Sequence, residues 1–73
     1  MPQFKYQGHT YEYEIRRSQR KTLGIYVHPE LRIEVRAPHS ATLEEIAERI
    51  HKRRSWIVKQ WQQWKEWLER VMA

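Results

Sequence analysis

The chain has no cysteine, only two glycines and three prolines, and no unbroken apolar run of the roughly 18 residues a membrane helix needs. Without cysteine there is no disulfide framework and no thiolate zinc site, and the redox compartment goes unread. Without an apolar run, and with a polar start in MPQFKYQGHT, neither a membrane span nor a signal peptide is expected. The expectation is therefore a cytoplasmic protein with no membrane partner. Length is scarce as well. Its 73 residues amount to one domain over 1–73, with a marginal core, because a chain this small buries only about 60% of the surface its unfolded form exposes.

What is present is charge and aromatic side chains. Lys and Arg number 14 against 9 Asp and Glu, a net charge of +5, and 32% of residues are charged. Four Trp and four Tyr within a 40% hydrophobic composition make the chain too aromatic for a disordered segment.

Hydrophobic periodicity changes near Pro38. Before it, apolar residues recur every second position, as on strands with one buried face. Tyr11, Tyr13 and Ile15 alternate with Glu12, Glu14 and Arg16, and Ile33, Val35 and Ala37 with Glu34 and Arg36. Strands are predicted at about residues 3–6, 10–17, 22–28 and 32–37. Gln7-Gly8, Ser18–Lys21 and His28–Leu31 form the turns, all too short for a parallel crossover, so an antiparallel meander is expected. After Pro38 the period is helical. Thr42 followed by Glu45 is a capping-box signature, and Leu43, Ile46, Ala47 and Ile50 make one apolar stripe. Ile57, Trp61, Trp64, Leu68 and Val71 make a second stripe, with Trp56 and Trp67 along its edge. No Gly or Pro interrupts residues 43–72, so a single helix of about 45 Å is conceivable. It would overhang a domain of roughly 11 Å radius of gyration and carry Arg53 and Arg54 along the buried stripe. Two helices, about 42–52 and 55–71, covering one face of the sheet are therefore predicted, an α+β fold.

The series Tyr13–Leu23, then Val35-Arg36-Ala37-Pro38, then Glu45-Ile46 and Lys52–Ile57 is similar to the N-terminal segment of the YgjP-like family of predicted metal-dependent hydrolases, relatives of the SprT-type zinc metallopeptidases. The resemblance covers about residues 10–60. It implies peptide-bond hydrolysis by a zinc ion held on an HExxH helix, which needs two imidazoles one turn apart with a carboxylate beside them. Here His9, His28, His39 and His51 have no second His four residues on, and His51 is followed by Lys52 instead of Glu. Zinc is thus expected only for full-length relatives, and no catalytic or metal-binding residue carries over. Leu31 departs from the family too, standing where its turn usually has Gly, so a positive φ there would strain the backbone.

Two basic clusters remain, Arg16, Arg17, Arg20 and Lys21 at the second turn and His51, Lys52, Arg53 and Arg54 in the helical region. They read as solvating a turn and complementing a helix C-terminus, or as a polyanion-binding surface. Trp61 and Trp64 are expected in the core, whereas Trp56 and Trp67 form a candidate docking surface for a catalytic domain or protein partner. The four His have spacings that match no ligand pattern, and His28 and His39, which flank turns with Pro, read as loop residues. Alternating charges at Glu12, Glu14, Arg16, Arg32, Glu34 and Arg36 read as a solvated sheet face; a free sheet edge would instead admit an extended peptide. The leading functional reading is a non-catalytic N-terminal domain of a metal-dependent hydrolase that positions substrate or contacts a partner. The alternatives are a small basic nucleic-acid-binding module, or part of a hydrolase completed by another chain.

Overall fold

A computed structural model describes residues 2–73. Four strands are followed by one helix: β1 (Gln3–Tyr6), β2 (His9–Ser18), β3 (Gly24–Val27), β4 (Ile33–Pro38) and α1 (Leu43–Met72). The α+β class is as read from the sequence, and each strand lies where the period-two pattern placed it, within a residue or two at most ends.

The topology corrects the expected meander. The order is β1-β2-β4-β3; β1 pairs antiparallel with β2 and β3 antiparallel with β4, but β2 and β4 run parallel. The short-connection rule holds for the two hairpins and does not govern β2 and β4, which are not consecutive. The five-residue link 19–23 reaches at least about 16 Å when extended, enough to step over the roughly 10 Å of one intervening strand position. The strand placed inside is the one with most to bury: Ile33, Val35 and Ala37 are at most 2% exposed, while β3 has no fully buried residue.

Both hairpin turns use positive φ. Gln7 (φ 49°) and Gly8 (φ 80°) are the paired left-handed residues of a two-residue turn, with Tyr6 opposite His9. In the other, His28 N donates to Arg32 O and Leu31 N to His28 O, with Leu31 at φ 64°. This is the three-residue hairpin loop that ends on a left-handed residue, a place that favours glycine and is here taken by leucine.

The predicted break at 51–55 is absent. α1 runs for 30 residues because nothing in it breaks a helix, and it starts at the Thr42 capping box, where Glu45 N donates to Thr42 Oγ1 at 3.1 Å. Ile46, Ile50, Ile57 and Val58 are its buried residues. The two arginines do not break this stripe: Arg54 sits half-buried at its margin beside His51, and Arg53 is exposed with its guanidinium over the Trp56 ring. Leu43 and Ala47, expected on the stripe, are exposed. The molecule accepts the overhang, measuring 43 × 26 × 19 Å with a radius of gyration of 13.0 Å. Trp61 and Trp64 are half-buried. Their indoles donate to Leu31 O (3.3 Å) and Val27 O (3.1 Å), fastening α1 to the β3–β4 hairpin, and Trp61 meets Tyr11 edge-on. No helix is long and apolar enough to cross a membrane among the described residues.

Candidate functional site

Side chains alternate across a strand, so Arg16 and Arg17 at the end of β2 are sent to opposite faces, while Arg20 and Lys21 lie in the link 19–23. Arg17 points to the helix side, where its guanidinium donates to Pro38 O (3.1 Å) and Ala41 O (2.6 Å), tying the end of β2 to the turn before α1. Arg16 points to the opposite face and bonds Glu34 at 2.8 Å. Arg20 lies beside Tyr26 and, as hydrogen-bond donor and cation, holds the phenol below its ordinary pKa. In the helical cluster, Lys52 pairs with Glu48 at 3.2 Å, Arg53 stacks on Trp56 and Arg54 contacts His51. Of the residues proposed for polyanion binding, Lys21 alone has no ion-pair, hydrogen-bond or stacking partner among the described residues.

The outer sheet face is open to solvent, as its sequence implies, except at Glu34. Parallel pairing sets Glu14 opposite Glu34 and Arg16 opposite Arg36, like against like, and the side chains resolve this along diagonals. Glu34, only 3% exposed, receives Arg16 at 2.8 Å, His28 Nε2 at 2.9 Å and Arg36 at 3.2 Å, while Arg32 reaches Glu14 at 3.6 Å. Burial would raise the Glu34 pKa; the hydrogen bond from His28, aided by the charge and hydrogen bond of Arg36, outweighs it and lowers the pKa. Arg36 also lies 4.2 Å over the Tyr26 ring. Cation and anion balance closely on this face, which makes it a structural lattice with little charge left for a ligand.

Unspent charge collects elsewhere, along the cleft between β3 and α1. Leu23, Ile25, Arg49, Arg53 and Trp56 line one part of about 120 Å³. Lys21, Thr22, Leu23, Ser40, Glu45 and Arg49 line an adjoining part of about 370 Å³. Arg49 is the residue sequence reading missed. It joins Lys21 to Arg53, and its place one helical turn before Arg53 was the available signal. Trp56 is 40% exposed at this cleft. Trp67, the other docking candidate, is 46% exposed and lies outside this cleft, edge-on to Trp64 at 5.8 Å, on the last turns of α1 with Val71 and Met72, 60% and 81% exposed.

Among the described residues, no group of three or more His, Cys, Asp or Glu side chains, with His9, His28, His39 and His51 among those present, is placed to hold a metal ion. His28, the most buried of them, is engaged with Glu34.

In comparisons with known proteins, a family model described as "YgjP-like, metallopeptidase domain" matches residues 21–72. No curated protein and no solved structure matches the chain.

Proposed function

The chain belongs to the YgjP-like metallopeptidase-domain family, and on that premise we propose that it acts as a non-catalytic module of such a hydrolase, positioning substrate or contacting the partner that carries the chemistry. The observation that carries this reading is the end of α1. From Lys65 onward every residue except half-buried Leu68 is exposed, and Trp67, Val71 and Met72 stand there unpaired with the sheet. The family match runs through residue 72, so this apolar tail lies within the segment the family shares. A helix that carries apolar residues past its own core presents a surface for another protein. The donor set supports the same reading, because the residues of this chain do not supply the paired imidazoles and adjacent carboxylate that the family's hydrolysis needs.

The test mixes this chain, with zinc supplied, with a family chain that bears the HExxH segment, and follows both complex formation by sedimentation and cleavage of an unfolded protein. Cleavage is expected only in the mixture, and Trp67→Ala should weaken the complex by about tenfold, as loss of an aromatic anchor does. Cleavage by this chain alone, or a complex indifferent to Trp67→Ala, overturns the proposal.

A further inference from the structure

The hydrogen bonds of the β3–β4 hairpin determine what the outer edge of β3 offers. His28 N donates to Arg32 O at 2.8 Å, so His28 is turned toward β4. Along an antiparallel ladder such residues alternate with ones turned away. By the observed register, Tyr26 opposite Glu34 and Gly24 opposite Arg36 are also turned inward, and Ile25 and Val27 aim their N–H and C=O groups outward. The Val27 carbonyl confirms the phase, because it is taken from outside the sheet by the Trp64 indole at 3.1 Å. Left open on this edge are the N–H and C=O of Ile25 and the N–H of Val27, a donor–acceptor pair followed by a donor. β3 pairs with β4 alone, so no other strand satisfies them.

The side chains around this edge carry an excess of positive charge. Of the acids lining the cleft, Glu45 is occupied by the Thr42 cap and Glu48 by Lys52. Lys21, Arg49 and Arg53 have no carboxylate within ion-pair distance among the described residues. Arg53 lies 5.2 Å from the Trp56 ring centre, which holds its charge at the cleft and sets an aromatic face beside Ile25.

We propose that the outer edge of β3 receives an extended acidic polypeptide segment as an added strand. Its backbone pairs with Ile25 and Val27, its Asp or Glu side chains meet Lys21, Arg49 and Arg53, and an apolar side chain packs on Trp56 and Leu23. Strand addition supplies affinity through the backbone and selectivity through alternate side chains, and both sets of partners are present here. A nucleic-acid strand fits less well. Its phosphodiester backbone has no donor for the Ile25 carbonyl, so only the cations would be used. The proposal names what the module described above would hold and rests on that reading. Peptide binding and complementation of a zinc-bearing chain are separate measurements, so either can fail without the other.

The experiment is fluorescence anisotropy on the whole chain with a labelled peptide that alternates Asp or Glu with Val. Controls are the same peptide with Lys at the acidic positions, the acidic peptide with alternate backbone nitrogens methylated, and an oligothymidylate of equal charge. Saturable binding of the acidic peptide is expected. The Lys peptide should not bind, and the methylated peptide should bind about tenfold more weakly, the cost of losing strand hydrogen bonds. Arg49→Glu with Arg53→Glu, both on the exposed side of α1, should weaken binding by at least about tenfold. Circular dichroism of that variant shows the fold kept; should it unfold, Lys21→Glu, in the 19–23 loop, takes its place. Absence of saturable binding, equal binding of plain and methylated peptides, or tighter binding of the oligothymidylate overturns the proposal.

Discussion

Val35 and Glu34 are neighbours on β4, and both are almost wholly buried, at 0% and 3% exposure, on opposite faces of one sheet. On the Val35 face the cover is α1, with Ile46, Ile50 and Ile57 at most 1% exposed. That cover gains by removing apolar surface from water, about 1.5–3 kcal/mol for each such side chain. On the Glu34 face there is no second layer. The cover is the aliphatic stems and charged heads of Arg16, Arg32 and Arg36, with Tyr26 and His28 between them. Burial there is expensive for the carboxylate and is offset only because its oxygens are met from several sides. A small chain without disulfides thus closes one face with a helix and the other with its own long cations. What neither cover reaches is the outer edge of β3 and the end of α1.

Several substitutions would break or sharpen this contrast. The largest effect is expected on the apolar face. Ile57→Ala should cost about 2–5 kcal/mol of unfolding free energy in a urea titration, with no dependence on salt. A smaller effect is expected on the ionic face. Glu34→Ala should cost about 1–3 kcal/mol, because Arg16, Arg36 and His28 lose their acceptor but remain open enough to be solvated again. The same residue separates the faces by pH. The Glu34 pKa is lower in the folded chain than its ordinary 4.5, so the unfolded state binds the proton first. Its contribution is complete above that value and disappears as pH falls through the folded pKa. Thermal melts of the wild type should therefore drop in that acidic window more steeply than those of Glu34→Gln, and parallel curves would remove the carboxylate from the account. The smallest effect lies at the turn joining β3 to β4. Leu31→Gly should raise stability by about 1 kcal/mol, since φ 64° carries a steric penalty for leucine that glycine lacks; a fall in the melting temperature would show that contacts of the Leu31 side chain outweigh that relief.

Much of the fold was legible along the chain. Period-two alternation located all four strands, and the Thr42–Glu45 box marked the helix start, because both are local patterns that survive any tertiary arrangement. The two errors have separate origins: strand order was judged from the shortness of the connections, helix continuity from the assumption of a compact globule. Arg53 and Arg54 then looked like core intrusions, where an elongated molecule leaves them at a margin. The candidate site was less legible. The two basic clusters are contiguous in sequence, but a strand sends neighbours to opposite faces, so Arg16 and Arg17 never act together. Arg49, isolated in the sequence, gains its place only when β3 comes to lie beside α1.

The sequence by itself determined the class of elements, the limits of the strands within a residue or two, the start of the helix, and the family, because these follow from local periodicity and from the order of short motifs. The tertiary structure alone decided that β4 slips between β2 and β3, and hence that Glu34 is buried under cations and the edge of β3 is left open. Pairing partners are chosen by competition among whole faces for burial, and no local stretch of sequence contains the outcome of that competition.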